Sequence, residues 1–331
     1  MERLQQTVAR MGGVNLLPVA VALAALIAIG APATWVTLTV AGLAMGMMIF
    51  LMASGLSLVF GLMDVLNFGH SAFISFGAFI AASTLALLSG WVAADSLLYN
   101  LLALGIAISA AGLFGLVAGW FFEVVIVKPV YQDHLRQILI TMGALIVAEQ
   151  LILAIWGGSP LSVPRPAFLQ GSWLIGDTTI EIYRVFAFLL GFVAFLGLRY
   201  TLKSTRIGLL IRAGVENREM VESLGFRIDR LFAGVFMVGS ALAAIGGAMW
   251  AGYETLITPD LGAEMMVLVF IVVIIGGLGS IEGSLLGALL VGLTGNYVGF
   301  LAPKLALASN MILMMVILLW RPQGLRPAVR T

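Results

Sequence analysis

The chain has 331 residues, of which 61% are apolar and only 10% charged, with a net charge of +1. Soluble domains carry about 25% charged residues, so this composition cannot clothe a water-facing globule and points to a polytopic membrane protein. The near-zero net charge offers no bulk attraction to nucleic acid, and the absence of cysteine excludes disulfides, thiolate catalysis and thiolate-ligated metals.

The spans follow from the gaps between charges. No charged residue occurs from Met11 to Met63, a run of 53 residues, enough for two helices of about 20 residues each. Gly30-Ala31-Pro32 breaks that run. The expected helices cover about 16–31, 36–62, 70–90, 97–127, 138–157, 184–202, 231–253, 264–278, 284–300 and 304–320. The reading is therefore an all-α polytopic membrane protein of about ten transmembrane helices (range 8–10), forming a single transmembrane domain over 1–331. Arg3, Arg10, the apolar run from Leu16 and the small Ala31-Pro32-Ala33 also have the form of a cleaved signal. Continued charge-free sequence beyond them favours a retained first helix.

The basic residues set the orientation. With the N-terminus in the cytoplasm, segments 1–15, 128–137, 203–230 and 321–331, with Arg199 at a helix end, hold 14 of the 17 Lys and Arg. Both termini are then expected in the cytoplasm. The longest external loop, from Gly157 to Arg184, contains Pro160, Pro164 and Pro166 and should be extended or turned.

Two apolar runs are punctuated. In GLMDVLNFGHSAFISFGAF, the polar Asp64, Asn67, His70 and Ser71 cover about a third of a helix circumference if the stretch is helical. Polar groups at membrane depth face a cavity or a partner, so these four are candidates for a translocation path or gate. A plain turn at the cytoplasmic interface is the alternative, with Gly69 permitting it and Ser71 capping the next helix. In GGLGSIEGSLLGALLVG, from Gly276 to Gly292, glycines mark a tight turn with Glu282 near the surface. Gly283, Ser284, Gly287, Ala288 and Gly292 suit close helix packing, as do Gly239, Ala243, Gly246 and Gly247.

The longest cytoplasmic loop, 203–230, reads KSTRIGLLIRAGVENREMVESLGFRIDR. A short surface helix is expected from Val215 to Leu224, with Glu216, Arg218, Glu219 and Glu222 on it and Met220, Val221 and Leu224 as its apolar edge. Gly225 suits a left-handed helix end. An ordinary solvated connector is the alternative.

No lysine follows a glycine, so there is no phosphate-binding loop, and neither H-E-x-x-H nor G-x-S-x-G occurs. No catalytic residue, cofactor or metal is expected. A proton- or sodium-coupled transporter would need buried carboxylates such as Asp64, Glu123, Glu149 or Glu264, most of which lie toward segment ends.

ASGLSLVFGLMDVLNFGHSAFISFGAFIA (53–81), the block 211–250, VVIIGGLGSIEGSLLGALLVG (272–292) and WRPQGL (320–325) together resemble the membrane subunits of bacterial ABC importers for branched-chain amino acids, the LivH-like permeases. Val65-Leu66-Asn67-Phe68 favours that subunit over its LivM-like sister. The resemblance implies a multi-pass protein of the bacterial cytoplasmic (inner) membrane. It also implies a related LivM-like permease, two ATP-binding subunits and an external solute-binding protein as partners. ATP would be hydrolysed on those other chains. Related permeases serve urea, amides and other small polar solutes. The resemblance further assigns 203–230 to the loop that docks on the ATPase, with Glu219, Glu222 and Gly225 in the stretch where such permeases carry an EAA-type motif. The Glu-Ala-Ala itself is absent here.

Overall fold

A computed structural model describes residues 13–63, 65, 67–131 and 133–327, without the side chains of Leu62, Val215, Glu216 and Arg218. Its long helices are α1 (Leu17–Ile29), α2 (Pro32–Met63), α3 (His70–Leu87), α4 (Leu97–Phe122), α5 (His134–Trp156) and α6 (Ile182–Ser204). There follow the loop helices α7 (Arg206–Glu216) and α8 (Arg218–Ser223), then α9 (Ile228–Glu254), α10 (Leu261–Gly276), α11 (Ile281–Leu301) and α12 (Ala306–Trp320). Among the described residues, eight helices are long and apolar enough to cross a membrane, the last counted as Pro303–Trp320 with the short turn that leads into α12. α1 and α10 have 13 and 16 residues, roughly 20 and 24 Å at 1.5 Å per residue, short of a hydrocarbon core of about 30 Å.

Helices are the natural outcome of such runs, because lipid offers the backbone no hydrogen-bond partner. The break after α1 forms as the sequence predicts. Gly30 takes a left-handed φ of +70° with its N–H on Leu26 O, and Pro32 opens α2.

α2, α3 and α9 form the centre. The α2 span is 83% buried, whereas that of α12 is 11% buried and leaves its side chains for lipid or a partner. α9 packs against α2, α3 and α4, and α11 packs along α2. These contacts are backbone-close: a Cβ on Gly55 would lie 2.2 Å from Gly239 O, and one on Gly46 2.8 Å from Ala288 O. The small residues therefore serve helix packing, as expected from their spacing.

The ends of the helices sort into two faces. At one face Lys128 meets Asp229 at 3.2 Å, Lys203 and Arg326 meet Glu282, and Gly61 abuts Gly279. The segments predicted to share the cytoplasm are thus gathered together. At the opposite face the proline-rich loop forms two small antiparallel pairs. β1 (Leu161–Ser162) pairs with β4 (Leu256–Ile257), and β2 (Ser172–Ile175) with β3 (Thr178–Glu181). Arg165 ties the loop down by donating to Gly252 O and Tyr253 O, at 2.9 Å each. Its guanidinium lies 4.9 Å above the Tyr183 ring and 3.7 Å from Glu181.

Candidate functional site

The first polar break is neither a continuous helix nor a surface turn. α2 ends at Met63, yet the Nε2 of His70, the first residue of α3, lies 2.9 Å from Met52 O. Met52 is eleven residues before the end of α2, a rise of roughly 16 Å. The chain between the helices therefore runs back along α2, and α3 begins inside the protein. Asn67 is not on a helix, so the expected shared helical face of Asp64, Asn67 and His70 is corrected; Asp64 itself lies outside the described residues. Non-helical backbone at such depth persists only where protein or a cavity surrounds it.

Asn67, His70 and Ser71 are all buried. Ser71 does not cap α3; its hydroxyl donates back to Phe68 O at 3.0 Å. Gly69 does not supply a left-handed turn either, since its φ is −67°. Its missing Cβ makes room for Phe122, whose Cζ would be 2.3 Å away. Phe122, Phe73 and Phe236 form an aromatic cluster beside His70, with Phe73–Phe122 centroids at 5.4 Å and Phe122–Phe236 at 6.1 Å. From α5, Thr141 Oγ1 accepts the Phe68 N–H at 3.3 Å.

Five buried side-chain atoms here have no partner: Asn67 Nδ2 and Oδ1, His70 Nδ1, Ser57 Oγ and Ser240 Oγ. Each such atom costs about 1–3 kcal/mol, so a cluster of them marks strain kept for a purpose or a site that is wet in another state. Sequence reasoning found Asn67 and His70 but missed Thr141, Ser240 and the three phenylalanines. Nothing local flags these, because they come from four helices, α3, α4, α5 and α9, that meet only in the fold. Glu123, buried, accepts from Tyr131 Oη at 2.9 Å at the start of a π-helical turn, Glu123–Val127. Glu149 is half-buried on α5 and Glu264 exposed at the start of α10. No group of three His, Asp or Glu able to hold a metal occurs among the described residues.

The long loop 203–230 is mostly helical, and here the expected single helix from Val215 to Leu224 is corrected. Asn217 adopts an extended backbone (φ −152°) and its Oδ1 accepts the Met220 N–H at 2.9 Å. That cap ends α7 and starts α8. The side chains of Glu216 and Arg218 lie outside the described residues, so the Arg218–Glu222 pair has no described geometry. Glu219 and Glu222 are exposed. Gly225 follows α8 with a φ of +86° and its N–H on Glu222 O, the left-handed end expected of it. The apolar edge is divided. Val221 is buried with Ile228 and Phe232, whereas Met220, Leu224 and Phe226 are exposed.

The loop is braced at both ends. Asp229, in the first turn of α9, pairs with Lys128. Lys203, near the end of α6, pairs with Glu282 at 2.5 Å. Glu282 also pairs with Arg326 at 2.5 Å and lies 3.6 Å from Arg199. The tail carrying Arg326 docks on the second glycine-rich break, with Leu325 N–H on Ile275 O at 2.8 Å and Arg326 N–H on Gly276 O at 3.0 Å.

An array of apolar helices with a buried polar break and a braced helical loop defines a multi-pass membrane protein. Residues 38–320 match the family described as branched-chain amino acid transport system / permease component, and the chain belongs to that family. It is LivH-like. It is 26% identical over 307 residues to the high-affinity branched-chain amino acid transport system permease protein LivH of Escherichia coli (strain K12), covering 87% of this chain and 94% of the relative. It is 26% identical over 297 residues to the Pseudomonas aeruginosa permease BraD, covering 87% and 95%. A probable LivM permease of Methanocaldococcus jannaschii is 27% identical over 270 residues, covering 72% and 75%. No solved structure matches the chain.

Proposed function

We propose that this chain is the LivH-like membrane subunit of an ATP-driven importer, moving branched-chain or related small amino acids across the bacterial inner membrane. It forms one transmembrane domain of ten crossings, with both termini and the 203–230 loop in the cytoplasm. Its partners are a LivM-like permease, two ATP-binding subunits and an external solute-binding protein that delivers the solute. The observation that carries this reading is the braced loop. Coupling needs a stiff element that follows an ATPase as a body, and α7–α8 is held by ion pairs at both ends while Met220, Leu224 and Phe226 face outward. Glu219 and Glu222 flank that apolar face and set its charge. At the other end of the coupling, the break holding Asn67, His70 and Ser71, with Asp64 preceding it, is the gate. Its unpartnered polar atoms are the groups that meet water or solute when it opens.

Copurification tests the docking. The partner ATPase should be retained by the wild type and lost, or left unstimulated by solute, in Glu219→Lys, Glu222→Lys and Gly225→Val. The valine has space but must adopt a left-handed backbone, at about 1–2 kcal/mol. Unchanged copurification and stimulation in all three variants removes the loop from the mechanism. Reporter fusions after Gly171 and Gly214 should give external and cytoplasmic signals respectively; the reverse pair overturns the topology. Cysteines at 67 and 70, introduced into this cysteine-free chain, should react with aqueous reagents in an ATP-dependent manner. Inertness in every state removes the gate.

A further inference from the structure

We propose that Glu282 is a positioning residue that locks the docking loop, the α10–α11 turn and the C-terminal tail into one transmitting body. The proposal rests on the ATPase-docking reading of 203–230. The geometry of the carboxylate carries it. Oε1 takes Lys203 at 2.5 Å and Arg199 at 3.6 Å, both from the end of α6 where the loop departs. Oε2 takes Arg326 at 2.5 Å from the tail. One side chain thereby joins three stretches separated in sequence by 79 and 44 residues.

Its backbone is fixed to match. Glu282 lies in the first turn of α11, where a carboxylate is favoured by the helix dipole. Ser280 Oγ caps that turn by accepting the Gly283 N–H at 3.1 Å. The preceding turn cannot shift alone. A Cβ on Gly276 would lie 2.4 Å from Gly283 C, and one on Gly324 2.5 Å from Gly277 Cα. So the turn moves only together with the tail that pairs to Ile275 and Gly276. The same turn touches α2, since a Cβ on Gly61 would lie 2.1 Å from Gly279 Cα. A push on the loop at Lys203 therefore reaches α10 and α11 through Glu282, and the end of α2 through Gly279. Exposed ion pairs contribute little, but this carboxylate is 24% exposed and shared among three cations, an arrangement in which geometry and networking raise the value.

The test uses the chain coexpressed and purified with its partner permease and ATPases, reconstituted with the binding protein. Glu282→Gln should keep the ATPases bound and hydrolysing, while solute moved per ATP falls about five-fold, the loss of a hub rather than of a lone surface pair. Glu282→Asp, which keeps a carboxylate for the three cations, should retain at least half of the wild-type ratio. An unchanged ratio in Glu282→Gln overturns the proposal, as does a fall in Glu282→Asp as large as that in Glu282→Gln. Should Glu282→Gln yield no folded complex, the double variant Lys203→Cys with Glu282→Cys, joined by a short bifunctional thiol-alkylating cross-linker, decides instead. Retained uptake supports a single moving body, and lost uptake overturns it. A wild-type chain that brings down no ATPase refutes the docking reading, an outcome distinct from any of these.

Discussion

The stretch after Gly61 and the stretch after Gly276 both interrupt an apolar run with glycines and a few polar side chains, and the two meet where Gly61 touches Gly279. Their chemistry diverges. In the second, Ser280 caps α11, the tail pairs with Ile275 and Gly276, and Glu282 holds three cations. In the first, Asn67 has no partner at either polar atom and His70 only one, though both are buried. The second break also buries Ser284 Oγ and Arg326 Nε without partners, yet its cap, tail pairing and ion pairs pin it as an anchor. The first lacks such pins around Asn67, and a state that hydrated Asn67 and His70 would recover their lost hydrogen bonds.

The contact between the two breaks gives the largest expected effect. Gly61→Val forces a side chain into the Gly279 backbone, an overpacking of about 3 kcal/mol. Thermal melting of the purified chain should fall by several degrees, and an unaltered melt would mean the breaks are not pressed together. Next comes the first break itself. Asn67→Leu removes a buried amide that has nothing to lose, so stability should hold or rise by about 1–2 kcal/mol while uptake collapses. A destabilised variant with normal uptake would reverse the assignment and make Asn67 the anchor. The smallest effect belongs to the second break. Ser280→Ala deletes a helix cap, costs about 1 kcal/mol of melting stability and should leave uptake nearly intact. A large transport defect there would show that both breaks move.

Much of the architecture was legible because it follows from composition. Apolar runs placed α4 at 97–127 against the observed Leu97–Phe122, and α9 at 231–253 against Ile228–Glu254. Local chemistry also found Gly225. It failed where one side chain redirects the backbone. Asn217 splits the expected 215–224 helix, and α7 before it was not expected. Gly208 is there for proximity, since a Cβ would lie 2.1 Å from Leu202 O at the corner between α6 and α7. The polar break was found as a cluster of residues but not as a re-entering segment. Its depth is set by the contact of His70 with Met52, and no spacing encodes that. The Glu282 cluster was invisible for the same reason: Arg199, Lys203 and Arg326 are distant in sequence, and none is unusual alone.

Arg165 carries a consequence for the birth of the protein. Its acceptors, Gly252 O and Tyr253 O, lie 87 and 88 residues later in the chain. A ribosome adding roughly 5–20 residues per second needs about 4–17 s to make them. By the later part of that interval α5 and α6 can already be in the bilayer while the guanidinium waits without these carbonyls, and β1 waits for β4. The nascent chain thus passes through a half-built stage with an open strand edge and a cation short of its two carbonyl acceptors. That stage is the one at which a membrane chaperone or protease would have the longest access, and the arrival of α9 closes it.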